Sequence, residues 1–499
     1  MRLKVYPDSK HKRGGSNYCM AATDTSDILL LTGPDIELFE GEVFYGAGGE
    51  LDIRNDDADK FPEREMYKLC PLTNGNSAII RELFDFTRPV SHKGQAATIG
   101  LGDRLGTASA GHIRLIRDLD IFPVLAQQSM RELNLTGRTY EDVLAAAVWA
   151  VFREGYTNGY GADGDHLKSH DEVRNALNCG FTMITLDCSG QIRNDLSGMP
   201  QPDIEALYEE LPADVTTALE DRYLDKTFSI GRGMTIEFNK DDFMRNVLIY
   251  LPAINHALSV YDELLKSRDI DFEISIDETL TATTAQAHFF FSNELIRQGV
   301  QIRSVAPRFT GEFQKGIDYI GNVTEFERDF LLHAKIADNF GYKISVHSGS
   351  DKFSIFPIVS RLTGGRYHIK TAGTNWLEAV RVIANTSPRL FREMFTFALE
   401  NLSEAREYYH ITCDLTKIAN LADMPDSGLH CYLDEDNARQ VLHITYGLIL
   451  QAKEANGSLR FRERIYQLLF KHELDYMTAL EKRIGLHMSG LCVKKRIGN

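Results

Sequence analysis

Between about residues 96 and 385, short apolar runs that end in polar residues alternate with amphipathic runs, and this alternation constrains the fold more than any other feature. The runs are Ala97–Asp103, Phe122–Ser129, Asn158–Asp165, Phe181–Asp187, Phe272–Glu278, Gln301–Ala306, Tyr342–His347 and Arg366–Lys370. A continuous apolar run is what a strand covered on both faces requires, and strands separated by helices pair in parallel. Eight such units predict an α/β fold, a sheet closed as a (β/α)8 TIM-like barrel. Local signals agree. Thr139 is a helix N-cap with Asp142 three residues on, and Gly341 stops a helix running from about Val323 to Phe340. Trp376 opens the helix after the eighth run.

An open doubly wound sheet is the competing architecture. Its nucleotide-binding version needs a glycine-rich loop after the first strand. Gly159, Gly161 and Gly164 match GxGxxG, but they follow a helix, and Asp163 and Asp165 would repel a pyrophosphate.

The flanks differ from this core. Residues 1–95 mix short β-like runs, Ile28–Leu31 and Val43–Tyr45, with turns such as Gly46-Ala47-Gly48-Gly49, and form an N-terminal β-rich extension. Asp52–Glu65 reads as an acidic surface loop. Residues 96–385 are the catalytic barrel, with a helical insertion at about 190–270 that includes a helix from Asp242 to Arg268. Residues 386–499 are a helical region packed around the barrel, with apolar periodicity in Leu390–Leu402, Asn437–Gln451 and Leu459–Met488.

Charge and cysteine usage narrow the functional classes. The net charge is −16 and no run of Lys and Arg exceeds three, which argues against nucleic-acid and membrane partners. No apolar stretch reaches the ~18 residues of a membrane span, and residues 1–15 lack the apolar core of a signal peptide. The seven cysteines are scattered without a CxxC, as expected of free thiols in a cytoplasmic protein.

Barrel enzymes place their chemistry at the carboxyl ends of strands. Here those ends carry His166, His347 and His368, with Asp163, Asp165, Asp277 and Glu278. Imidazoles with a carboxylate make a divalent metal site, for Zn, Mn, Ni or Co. Neighbours in a strand face opposite ways, so one member of each pair Asp165/His166 and Asp277/Glu278 faces inward unless the chain turns. Lys168, Arg308, Lys352 and Lys370 concentrate positive charge at the same end, suiting a carboxylate or phosphate substrate. Arg308 and Lys315 frame a loop able to close on ligand, and Ser348-Gly349-Ser350 and Thr371–Thr374 form small polar loops after the last two strands.

These segments resemble the tagaturonate/fructuronate epimerases of bacterial hexuronate catabolism. The likeness rests on Gly100–Gly106, Ala126–Ser129, Gly161–Lys168, Ile276–Thr279, Val346–Lys352 and His368–Trp376. The resemblance implies a cytoplasmic, divalent-metal-dependent isomerase acting on a small keto-hexuronate. It implies Asp165 and Glu278 as catalytic residues and His166, His347 and His368 as metal ligands. Gln128 and Ser129 join Lys168, Arg308, Lys352 and Lys370 as substrate-binding residues.

The chemistry of that reaction is restrictive. The two 5-keto-hexuronates differ at C3, which is β to the ketone, so its hydrogen is not acidic and enolisation cannot invert it. Retro-aldol cleavage of C3–C4, rotation of the aldehyde and re-closure can. Asp165 is the expected base for the C3 hydroxyl, with a Lewis-acidic metal at the keto group. A metal-dependent sugar-acid aldolase would use the same residues, and a non-catalytic sugar-acid binding protein is the alternative outside enzymology.

Overall fold

The computed structural model describes residues 2–45, 52–54, 66–231 and 233–496. Its centre is a closed barrel of eight parallel strands: β1 (Ala97–Leu101), β2 (Phe122–Ser129), β3 (Gly161–Leu167), β4 (Met183–Asp187), β5 (Asp271–Ile276), β6 (Ser304–Pro307), β7 (Lys343–Val346) and β8 (Tyr367–Thr371). The strands pair in chain order, and β8 closes on β1 with Lys370 opposite Gly100. The open doubly wound sheet is thereby excluded.

Local chemistry sets the helices as expected at two ends. Thr139 and Asp142 form a reciprocal capping box at Tyr140–Arg153. Val323–Phe340 ends on Gly341, at φ +82°, a conformation glycine adopts without a Cβ penalty. The helix after β8 starts at Gly373, three residues before Trp376, which is a fully buried core residue rather than the helix opening. The insertion between β4 and β5 holds helices Gln201–Glu209 and Ala213–Tyr223, the hairpin Thr227–Ser229/Thr235–Glu237 and the helix Lys240–Val260, which passes into a wider turn at Tyr261–Leu265.

The barrel interior is not filled by aliphatic layers. Glu273, Asp163, Thr185, Ser304, His368 and Lys370 are all buried there. Gly100 makes room in this crowd: a Cβ at that position would lie 1.5 Å from Gln127 Oε1.

The N-terminal strands form one mixed sheet, in the order Glu42–Tyr45, Met66–Pro71, Asp27–Thr32, Ser16–Ala22, Arg2–Val5 and Asp52–Arg54, with His11–Arg13 pairing onto Ser16–Ala22. Asp52–Arg54 is therefore strand, not loop; the rest of the expected acidic loop and the Gly46–Gly49 turn lie outside the described residues. The sheet packs on the barrel's helix layer through Tyr18, Met20 and Leu29, with Phe84, which follows the helix Asn74–Leu83, between Tyr18 and Phe152. At the other end of the chain Pro388–Glu400, Asp436–Ile444, Arg462–Lys471 and Glu473–Gly490 build a second apolar core against the helix after β8. The periodic stretch Leu459–Met488 is two helices, broken where His472 leaves helical dihedrals (φ −110°, ψ 34°).

Candidate active site and metal centre

At the carboxyl end of the barrel lies a cavity of about 440 Å³. The strand ends form its floor, the loop Pro307–Gly316 one side, and Tyr408, Tyr409, His410 and His443 from the C-terminal region another.

On the floor, His166, Asp277 and His347 converge, with one ligand atom from each within 4.8 Å of the others. The local backbone explains how. His166 adopts φ +55°, rare for a non-glycine residue, and the β3–β4 register shifts between Gly164 and Leu167. That turn brings Asp165 and His166 to the cavity together, although neighbours in a regular strand diverge. Asp277 and Glu278 both reach it because β5 ends at Ile276.

Each of the three groups is braced by an acid or a hydroxyl. Asp165 Oδ1 lies 2.7 Å from His166 Nδ1, Glu273 Oε1 lies 2.7 Å from His347 Nε2, and Ser275 donates to Asp277. A carboxylate behind a histidine fixes its ring and raises its basicity, the usual outer arrangement of metal-ligating imidazoles. His347 Nδ1 is buried without a hydrogen-bond partner, 3.3 Å from Asp277 Oδ2. Burial lowers the His347 pKa, but Asp277 foremost, helped by a hydrogen bond to Glu273, overcomes that and lifts it to about 10. A site that draws a proton so strongly has the charge and the free donor atom for a divalent cation. These residues fit a metal ion.

Beneath them Lys370 is the hub of a buried acid cluster. Its ammonium lies 2.7 Å from Asp163, 2.7 Å from Asp165 and 3.0 Å from Glu273, and also meets Thr185. Burial opposes the charge, but Asp163, Asp165 and Glu273 hold Lys370 well above the ordinary lysine range. Burial raises Asp163 to about 6 despite Lys370. For Asp165 burial is outweighed by His166 and Lys370, which keep it well below the usual carboxylate range.

Several expected roles meet a different geometry. His368 lies outside the three-residue group. It is in register with Ser345, two residues before His347, hence a layer deeper, and its Nδ1 is 2.8 Å from Thr98 Oγ1. Asp277 completes the group instead. Gln128 does not line the cavity. It is in register with Gly164, which faces Ala176 and Ile184 outside the barrel, so Gln127 takes the inward place. Ser129 lines the cavity and caps the helix Met130–Thr136, accepting from Glu132 N–H at 3.2 Å. Glu278 lines it too, 3.9 Å from both Arg131 and Lys168. Lys168 is 57% exposed, outside the cavity lining, and 3.2 Å from Asp187. Lys352 is buried and donates to the carbonyls of Gln314, Ile317 and Ser350. Arg308 lines the cavity with its guanidinium unpaired among the described residues.

Glu273 and His443 carry parts of the site that the sequence reading passed over. Glu273 had a visible signal, a charge in the middle of an apolar strand run. His443 sits on an ordinary amphipathic helix and had none.

Fold and site together define a (β/α)8-barrel enzyme with a candidate cation centre at its strand ends. A family model described as tagaturonate epimerase matches residues 6–491, and the chain belongs to that family. It is 41% identical to a tagaturonate/fructuronate epimerase from Thermotoga maritima over 488 residues, covering 97% of this chain and 96% of the relative. It is similar also to the crystal structures of fructuronate-tagaturonate epimerase UxaE from Cohnella laeviribosi, native and with one glycerol. Both match at TM-score 0.92 and 48% identity, covering 99% of this chain and 97% of theirs. Among the described residues, no helix is long and apolar enough to cross a membrane.

Proposed function

We propose that this chain interconverts D-tagaturonate and D-fructuronate in the cytoplasm, by retro-aldol inversion at C3. The observation that carries the reading is the cavity of a tagaturonate-epimerase-family barrel in which a braced His/Asp/His group opens beside unpaired bases. His166, Asp277 and His347 would hold a divalent ion (Zn, Mn, Ni or Co), which when bound supplies Lewis-acid stabilisation of negative charge on the keto fragment.

The remaining work falls to the chain's own groups. A carboxylate takes the C3 hydroxyl proton as the C3–C4 bond breaks, its electron pair passing to the keto fragment while C3 becomes an aldehyde. Asp165 and Glu278 both line the cavity. Asp165 is committed to His166 and Lys370, so it serves as the group that orients His166. Among the described residues Glu278 has only 3.9 Å ion-pair contacts and is the better placed proton acceptor, returning the proton after the aldehyde turns over. Arg308, alone among the four bases expected to read the substrate in having no partner among the described residues, contacts it.

Under this mechanism the C3 hydrogen never leaves its carbon. Purified protein with its metal content measured, incubated with D-fructuronate in D2O, is expected to give D-tagaturonate undeuterated at C3. Deuterium at C3 would overturn the mechanism, accumulation of free three-carbon products would identify an aldolase, and binding without turnover would identify a sugar-acid binding protein.

A further inference from the structure

We infer that the substrate's carboxylate is seated in the corner of the cavity between Lys315, His443 and the N-terminus of the helix Gly373–Thr386; this rests on the keto-hexuronate reading and adds where the charged end goes. Four observations meet there. The helix is 14 residues long, and the residue before it, Ala372, has no side chain able to cap it. Its first turn therefore presents backbone N–H groups and the positive end of the helix dipole, the arrangement that binds anions. Ser348, Ser350, Ala372 and Gly373 bring this end to the cavity.

His443 faces it from the C-terminal region. It lines the cavity at 1% exposure, and its ring lies so close to Gly373 that a Cβ there would be 1.6 Å from Nε2. Its Nδ1 has no hydrogen-bond partner. Burial, then Arg104, Lys315, Arg439 and Lys352, keep this imidazole neutral.

Those four cations are not equivalent. Arg104 is 3.0 Å from Glu132, Arg439 is 2.5 Å from Asp351, and Lys352 is saturated by three carbonyls. Lys315 meets a hydroxyl, Ser348 Oγ at 2.7 Å, and no acid within ion-pair distance among the described residues. The corner thus holds an unneutralised ammonium, an uncapped helix start and a buried imidazole with a spare nitrogen. Ser348 directly follows His347, so the seat adjoins the cation group. A carboxylate held there stays anchored while the aldehyde carbon of its fragment turns.

The test is steady-state kinetics of metal-loaded enzyme with D-fructuronate. Lys315→Met should raise KM about tenfold to a hundredfold, the usual worth of a charge-assisted hydrogen bond, with kcat changed far less. Lys315→Arg should recover most of the loss. His443→Phe keeps the ring against Gly373 and removes its nitrogens; it should also raise KM, and it carries the test if Lys315→Met does not fold. Arg308→Met should raise KM less than Lys315→Met. An unchanged KM in both Lys315→Met and His443→Phe, a fall confined to kcat, or a larger KM effect at Arg308 would overturn the seat. Wild-type enzyme that does not turn over D-fructuronate would overturn the reaction itself, a separate and visible result.

Discussion

The barrel floor of the cavity and the wall facing the C-terminal helices pose opposite charge problems. On the floor Asp163, Asp165, Glu273 and Asp277 outnumber Lys370, and His166 and His347 are driven toward the protonated state. At the wall burial, and then the surrounding Arg104, Lys315, Arg439 and Lys352, drive His443 neutral. Burial disfavours the charged imidazole in both places, and the sign of the neighbouring charges decides whether it is overcome. In a protein of net charge −16, Lys315 and Arg308 stand here without an acid partner among the described residues, beside the acid cluster. One half of the cavity suits a cation and the other an anion, which is what a metal ion and a sugar acid together require.

Removing the acid half should have the largest effect. Exhaustive chelation is expected to abolish epimerisation, with Zn, Mn, Ni or Co restoring it. His166→Ala, Asp277→Asn and His347→Ala should each lose stoichiometric metal, whereas His368→Ala should retain it. Metal analysis of the four variants decides, and loss of metal in His368→Ala alone would reverse the ligand assignment.

The two candidate carboxylates should separate next. Glu278→Gln is expected to lower kcat by roughly 10²–10⁴ while keeping its metal. Asp165→Asn should weaken metal affinity by about 10–100-fold, because it releases the His166 ring. Metal titration followed by kcat at saturating metal distinguishes them; a kcat defect in Asp165→Asn that saturating metal does not relieve would make Asp165 the base.

The basic half should answer to pH. Burial and the neighbouring Arg131 and Arg104 push Lys315 down to about 8, against Glu132 and Glu278; Lys352 and His443 also face it. KM for D-fructuronate should therefore rise above about pH 8 as the ammonium deprotonates, and Lys315→Arg should flatten that rise. A KM profile identical in the two proteins would remove Lys315 from carboxylate binding.

The smallest effect concerns stability. Burial pushes Lys352 down to about 7. Its folded pKa lies below the unfolded value, so the unfolded chain binds more protons between about pH 7 and 10.5 and stability rises with pH across that window. The unfolding free energy of wild type from denaturant titrations should climb more steeply from pH 7 to 9 than that of Lys352→Met, by about 1–2 kcal/mol. Equal slopes would mean that the three carbonyls carry the charge without penalty.

What the sequence determined by itself was whatever is written in neighbouring residues. Apolar runs alternating with amphipathic ones specify strands and helices, eight repeats specify closure, and Thr139/Asp142 and Gly341 mark helix ends through contacts within one turn. The strand-end positions of His166 and His347 were legible for the same reason. The tertiary structure decided everything that depends on register or on distant segments. Whether His368 shares a layer with His347 depends on how β7 pairs with β8, and Gln127 displaces Gln128 because one step along a strand reverses a side chain. Asp277 and Asp165 reach the cavity because β5 stops at Ile276 and the backbone turns at His166. His443 comes from a helix more than 250 residues beyond β3, and no local pattern marks it, because its role is set by Gly373 and the cations around it rather than by its own neighbours in the chain.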